Sequence, residues 1–208
     1  YMHEIYTRAD DHFTGRATVP VLWDMARNVM VSNESADILR MFDTAFAGLA
    51  PETPPLYPAD LAAEIDALNA EIYESLNNGV YKAGFASTQG AYDEAVAGVF
   101  STLDRLEARL EGTFLFGDRF TETDIRLFVT LIRFDAAYHG LFKTNLRRIA
   151  DYPRLQAHME RVLRLPGVAG TVNIDHIKAG YYSIKTLNPS GIVPVGPENV
   201  LRLIASIR

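Results

Sequence analysis

Thr18-Val-Pro-Val-Leu-Trp-Asp24 and, after a short polar gap, Val29-Met-Val-Ser-Asn-Glu-Ser35 decide how the chain is read. Two apolar runs flanking a polar loop predict an antiparallel pair: a strand over 17–23, a hairpin turn over Asp24 to Asn28, and a partner over Val29 to Val31. Pro20 is out of place in such a strand, because it removes a ladder donor. It either sits at a strand start or edge or marks a cis bond. Ser32-Asn-Glu-Ser35 then opens a helix, with Ser32 or Asn33 as its cap and Ile38, Leu39, Phe42 and Phe46 at helical spacing. Gly48 and Pro51 stop it.

On either side of this unit the signals differ. Residues 1–16 mix aromatic and charged groups with no clear period and predict no element. The Pro51–Pro58 stretch, with four prolines, reads as a linker and divides the chain into domains 1–50 and 51–208. Beyond it everything reads as helix. Leu61, Ile65, Leu68, Ile72 and Leu76 form one apolar stripe that Asn77-Asn-Gly79 interrupts. A second long helix runs from about Gln89 to Leu110, with Ala95, Val99, Leu103, Leu106 and Leu110 inward and Gly112 ending it. Thr121-Glu-Thr-Asp124 is a capping box, and the helix it starts is apolar almost all round, which places it centrally. Another helix spans Pro153 to Leu165, and a Pro/Gly-rich tail follows Asp175–Tyr182.

Composition narrows the function classes. The 208 residues are 48% hydrophobic and 22% charged with a net charge of −6, an ordinary soluble balance with no basic patch for nucleic acid. No apolar run is long enough for a membrane span, and no signal peptide is recognisable, which points to the cytoplasm. The absence of cysteine rules out disulfides, thiolate metal sites and a cysteine nucleophile within these residues. Histidines 3, 12, 139, 158 and 176 have no metal-ligand spacing, so no metal is expected. There is no dinucleotide or phosphate loop, and no nucleophile elbow.

Two places remain where chemistry fits. A helix start such as Glu34-Ser35 exposes unpaired N–H groups and the positive end of the dipole, which attract a carboxylate. Glu34 offers a counter-charge to an ammonium, so an α-amino-acid end suits the pair, although on the local pattern alone an ordinary helix cap is the stronger reading. Tyr81, Tyr181 and Tyr182 lie in polar, glycine-containing segments, where phenols could hydrogen-bond or stack on an oxygenated aromatic ring, or be satisfied core tyrosines. Lys82 and Lys178 nearby could favour a phenolate.

Taken together, Thr18-Val-Pro20, Ser32-Asn-Glu-Ser35, Thr121-Glu-Thr-Asp124 and a helical body resemble the glutathione transferases. The longer strings Gly15–Asp24, Val31–Ile38, Asn77–Phe85, Asp124–Leu127, Asn173–Lys178 and Asn188–Pro197 resemble, more narrowly, the Xi class, the S-glutathionyl-hydroquinone reductases. The resemblance implies an α+β, mostly α chain: the C-terminal part of a thioredoxin-like glutathione-binding domain, then an all-helical domain with a tail. It implies glutathione as co-substrate, a glutathionyl-hydroquinone as substrate, and a homodimer. Val19, before a cis-Pro20, would pair its backbone with the cysteinyl part of glutathione. Glu34 and Ser35 would hold the γ-glutamyl end, and Tyr81, Tyr181 and Tyr182 would line the quinone pocket.

The family's nucleophile is a cysteine in a Cys-Pro-Trp-Ala type motif, which these residues lack, so the resemblance implies that it lies upstream of Tyr1. The implied reaction removes glutathione from the hydroquinone through a mixed disulfide. Two other readings stay open: a conjugating glutathione transferase, and a non-enzymatic scaffold of the same fold.

Overall fold

Leu22–Asp24 (β1) and Val29–Ser32 (β2) form an antiparallel hairpin in the computed structural model, which describes residues 1–49 and 53–207. β1 is shorter than expected. The Val19–Pro20 peptide is cis, and the ladder begins only past the residue that cannot donate to it. Asn28 takes the left-handed conformation that closes the turn, which asparagine tolerates better than most residues. Ahead of the hairpin lies an unexpected helix, Met2–Ala9 (α1). Tyr6 is its one buried residue, so a hydrophobic period had nothing to show.

After β2 the helix Ser35–Thr44 (α2) begins, with Glu34 and not Ser32 or Asn33 at the cap position. The Ser32 hydroxyl instead accepts the Glu34 N–H at 3.1 Å. The helix ends before Gly48, and Pro51 lies outside the described residues. Leu56 and Tyr57 donate their backbone N–H groups to the Asp43 carboxylate, which fixes the end of the proline-rich stretch to α2. The chain divides into two compact units, Tyr1–Pro58 and Ala59–Arg208.

The second unit is helical. Ala62–Ile72 (α3) runs through a π-helical turn over Tyr73–Asn77 into Gly79–Gly84 (α4), so Asn77-Asn-Gly79 continues the helix instead of interrupting it. The Asn77 side chain donates to the Arg126 carbonyl and the Thr130 hydroxyl, an anchor that the wider turn frees it to make. Gln89–Arg109 (α5) follows, capped by Thr88. It stops at Leu110. Gly112 serves a different purpose from the expected helix stop: a Cβ there would come within 2.9 Å of the Gly117 backbone.

Glu122–Arg133 (α6) is central, as its composition requires, and passes into a second π-helical turn, Phe134–Tyr138, and a short helix, His139–Leu141 (α7). Pro153–Leu163 (α8) starts on a proline at its first position. Val168–Thr171 (α9), Ile174–Tyr182 (α10) and Glu198–Ile207 (α11) complete the chain. α11 was hidden behind the Pro/Gly-rich tail, although Val200 and Ile204 are buried at helical spacing. Ile72, Leu76, Leu103, Leu127, Phe134 and Phe142 lie in the fully buried centre. No helix of the described residues is long and apolar enough to cross a membrane.

The start of α6 holds two buried ionisable groups. Asp124 accepts from the Thr121 N–H at 2.8 Å, the Thr121 hydroxyl at 3.0 Å and the Leu115 N–H at 3.0 Å. His158 of α8 lies 3.7 Å from the carboxylate, fully buried, with neither ring nitrogen hydrogen-bonded among the described residues. Burial, reinforced by the charge of Arg161, lowers its pKa from 6.5 to about 4. The unfolded chain therefore takes up a proton below pH 6.5 that the folded chain refuses until about pH 4, and stability falls across that window by about 3 kcal/mol. Asp124, raised by burial, acts in the opposite direction as its carboxylate protonates. Replacing His158 by Leu is expected to flatten stability against pH between 6.5 and 4, as read from urea midpoints at a series of pH values.

Candidate functional site

Two constellations emerge, one in each unit. In the first, Val19 and Pro20 form an exposed edge; Val19 is 72% exposed, and neither its N–H nor its C=O finds a partner among the described residues. Glu34 and Ser35 are exposed at the start of α2. Glu34 is in extended backbone and makes no side-chain cap bond, so the N–H groups of the first turn stay available, with the helix dipole behind them. The Glu34 carboxylate and the Ser35 hydroxyl are likewise unpartnered among the described residues. A free peptide edge and an uncapped helix start are what an extended, zwitterionic peptide would need.

Tyr6, one aromatic among the aperiodic residues 1–16, joins these two pieces. Its hydroxyl donates to the Thr18 carbonyl at 3.0 Å, lies 3.2 Å from the Thr18 hydroxyl and accepts from the Asn33 amide at 3.1 Å.

In the second unit Tyr81 of α4 and Tyr181 of α10, a hundred residues apart, meet with their hydroxyl oxygens 2.5 Å apart. Tyr138, the last residue of the second π-helical turn, extends the row, its hydroxyl 2.8 Å from that of Tyr181. Tyr138 is not among the expected site residues, since it follows Ala136 and Ala137 without a polar, glycine-containing context ahead of it. The one available signal was its place four residues beyond Phe134, one helical turn on. π-Helical turns often occur at functional sites; here one leads into the helix that carries Tyr81 and the other ends on Tyr138. Phe142 packs against all three rings at centroid distances of 5.2, 5.4 and 5.7 Å.

Burial holds Tyr138 far above its ordinary pKa, with Tyr81 and Tyr181 adding to the effect. Burial also raises Tyr181, opposed by its hydrogen bond with Tyr138. Tyr138 and Tyr181 therefore keep their protons and can donate hydrogen bonds, where a phenolate could only accept them. Beside it, a cavity of about 380 Å³ is lined by Arg133, His176, Ile177, Gly180, Tyr181 and Ile184. Apolar walls with a cation and a phenol suit a small oxygenated aromatic.

Tyr182 does not join the row. It faces a different cavity, of about 270 Å³, with His139, Arg148 and Pro194. The two lysines have other work. Lys82 pairs with Glu74, and the buried Lys178 gives its three donors to the carbonyls of Pro194, Val195 and Gly196. Lys178 thus ties the tail to α10 and does not tune a phenol. No group of three or more metal-ligating side chains gathers among the described residues.

Gly84 fixes how closely Phe142 approaches. A Cβ there would lie 2.4 Å from the Phe142 ring, and Phe142 is fully buried, with little room to retreat. Gly84→Ala is expected to cost about 1–3 kcal/mol by overpacking and to push Phe142 off the phenol row. Thermal unfolding and tyrosine fluorescence would read both effects.

Residues 89–161 match the model of the glutathione S-transferase C-terminal domain family. Over 203 residues the chain is 52% identical to glutathionyl-hydroquinone reductase PcpF of Sphingobium chlorophenolicum, an alignment covering 97% of this chain and 65% of that protein. It is 51% identical over 199 residues to glutathionyl-hydroquinone reductase YqjG of Escherichia coli K12, covering 95% of this chain and 61% of that protein. The glutathione-bound structure of that transferase homologue superposes with a TM-score of 0.92. The crystal structure of the glutathione transferase Xi of Phanerochaete chrysosporium superposes with a TM-score of 0.93 at 47% identity, covering 96% of this chain and 70% of that one. The chain thus spans 65% and 61% of the two reductases it matches.

Proposed function

The chain belongs to the Xi class of the glutathione transferases, and we propose that its protein is a reductase that removes glutathione from S-glutathionyl-hydroquinones. Glutathione lies along the Val19–Pro20 edge, its cysteinyl peptide paired with the Val19 backbone. The γ-glutamyl carboxylate meets the first turn of α2 and the Ser35 hydroxyl, and the γ-glutamyl ammonium meets Glu34. The hydroquinone ring belongs to the cavity beside Tyr181. Tyr182 is proposed to line the approach, less directly than Tyr81 and Tyr181.

The reaction needs a thiolate, and the 208 residues contain no cysteine. The proposal therefore assigns the nucleophile to sequence outside them. That thiolate attacks the glutathione sulfur, forming a protein–glutathione disulfide and breaking the carbon–sulfur bond. The bonding pair stays on the ring carbon, which must take a proton. A second glutathione thiolate then attacks the mixed disulfide, releasing glutathione disulfide and restoring the protein thiolate. In sum, one conjugate and one glutathione become one hydroquinone and one glutathione disulfide. Such thiol exchange suits a reducing compartment, and the cytoplasm is the proposed location. The assembly is proposed to be a homodimer, which size-exclusion chromatography of the full-length protein tests.

The observation that carries this reading is the row of phenols, Tyr81, Tyr181 and Tyr138, in hydrogen-bond contact. Cleavage demands a proton at the departing ring, and the Tyr181 hydroxyl, beside the cavity and hydrogen-bonded to two further phenols, is placed to deliver one and be resupplied along the row. A conjugating transferase runs the other way and forms thioethers. Supplying the full-length protein with glutathione and benzoquinone, or separately with glutathione and a glutathionyl-hydroquinone, distinguishes the two. The reductase consumes the conjugate; a conjugating enzyme accelerates its formation. A protein that does neither and fails to bind millimolar glutathione is a scaffold.

A further inference from the structure

We propose that Tyr6 is a positioning residue for glutathione, a strut that sets the spacing between the Val19–Pro20 edge and the Glu34–Ser35 helix start. The inference rests on the glutathione reading above. Its geometric basis is the place where the hairpin stops. The ladder pairs Leu22 with Ser32 and goes no further toward the open end. Residues 18–20 and 33–35 lie beyond that last pair, so no sheet hydrogen bond ties one to the other.

Tyr6 provides the missing tie. A phenol has one proton and two lone pairs. The proton goes to the Thr18 carbonyl at 3.0 Å, so at 3.2 Å the Thr18 hydroxyl is left to donate, and the Asn33 amide fills the remaining lone pair at 3.1 Å. All three capacities are used, on residues directly preceding Val19 and Glu34. The ring is 1% exposed and packs on Phe13 at 4.7 Å, so the hydroxyl is held at a fixed point relative to α1. A tripeptide gripped at both ends needs the two grips at a set separation. If they move independently, binding must also order them.

Tyr6→Phe keeps the buried ring and removes only the hydroxyl. In the full-length protein, the glutathione dissociation constant and KM are expected to rise roughly tenfold, the scale of one or two lost hydrogen bonds, with kcat at saturating glutathione unchanged. A purely structural role would instead lower the melting temperature and the active fraction and leave the affinity of folded molecules alone. Asn33→Ala removes one arm of the strut and is expected to weaken binding by a smaller factor, so it decides the matter if Tyr6→Phe does not fold. Calorimetric titration of wild type and both variants with glutathione is the test. Graded weakening supports the strut. Wild-type binding with unchanged affinity in the folded variants overturns the strut alone. No binding by the wild type overturns the glutathione reading and the strut with it.

Discussion

Tyr181→Phe in the full-length protein is expected to lower kcat for glutathionyl-hydroquinone cleavage by roughly 100-fold while the protein stays folded. Tyr181 is the middle member of the phenol row, 2.5 Å from the Tyr81 oxygen and 2.8 Å from the Tyr138 oxygen. Removing its hydroxyl breaks both contacts and takes away the proton donor nearest the cavity. Phenylalanine fits the same space and keeps the ring contacts with Phe142 and Tyr138. Tyr81→Phe is expected to cost less, since Tyr181 then keeps its contact with Tyr138. Steady-state kinetics on one conjugate read both variants, and unchanged kcat and KM in both would remove these phenols from the reaction.

The second large effect is on folding. Asp124→Ala strips the start of α6 of three hydrogen bonds and leaves the N–H groups of Thr121 and Leu115 buried without an acceptor. Each orphaned donor costs about 1–3 kcal/mol. Relief from burying a carboxylate, visible in the raised pKa of Asp124, offsets part of this. The net expectation is a loss of about 3 kcal/mol, a large share of the roughly 5–15 kcal/mol that stabilises a domain. Asp124→Asn keeps one acceptor oxygen and should lose less than half as much. Urea unfolding of the two variants orders them; equal stability of Ala, Asn and wild type would show that the capping box contributes nothing.

Much of this architecture was legible because it follows local rules. The hairpin announces itself through two apolar runs and a polar turn, and Thr121 to Asp124 through the spacing of a cap. Gln89 likewise stands where α5 begins, as expected. What was hidden depends on distance or on sparse burial. α1 buries one side chain, so no period could reveal it. Tyr81 and Tyr181 each read as a polar tyrosine near a glycine; their contact across a hundred residues belongs to the packing of α4 on α10. Tyr138 is buried in the core and little in the sequence separates it from the apolar residues around it, yet its oxygen completes the row. Lys178 looked like a charge beside a phenol, whereas the tail carbonyls claim it. At Val19–Pro20 and Glu34–Ser35 the residues suggested an edge and a clamp, but the strut between them rests on Tyr6, twelve residues before Thr18.

Stoichiometry in the full-length protein tests the central proposal most directly. A purified glutathionyl-hydroquinone is mixed with catalytic amounts of protein and excess glutathione, and free hydroquinone and glutathione disulfide are quantified together by chromatography. The reductase reading predicts one hydroquinone and one glutathione disulfide for every conjugate consumed. Persistence of the conjugate, or hydroquinone release without matching disulfide, would contradict it.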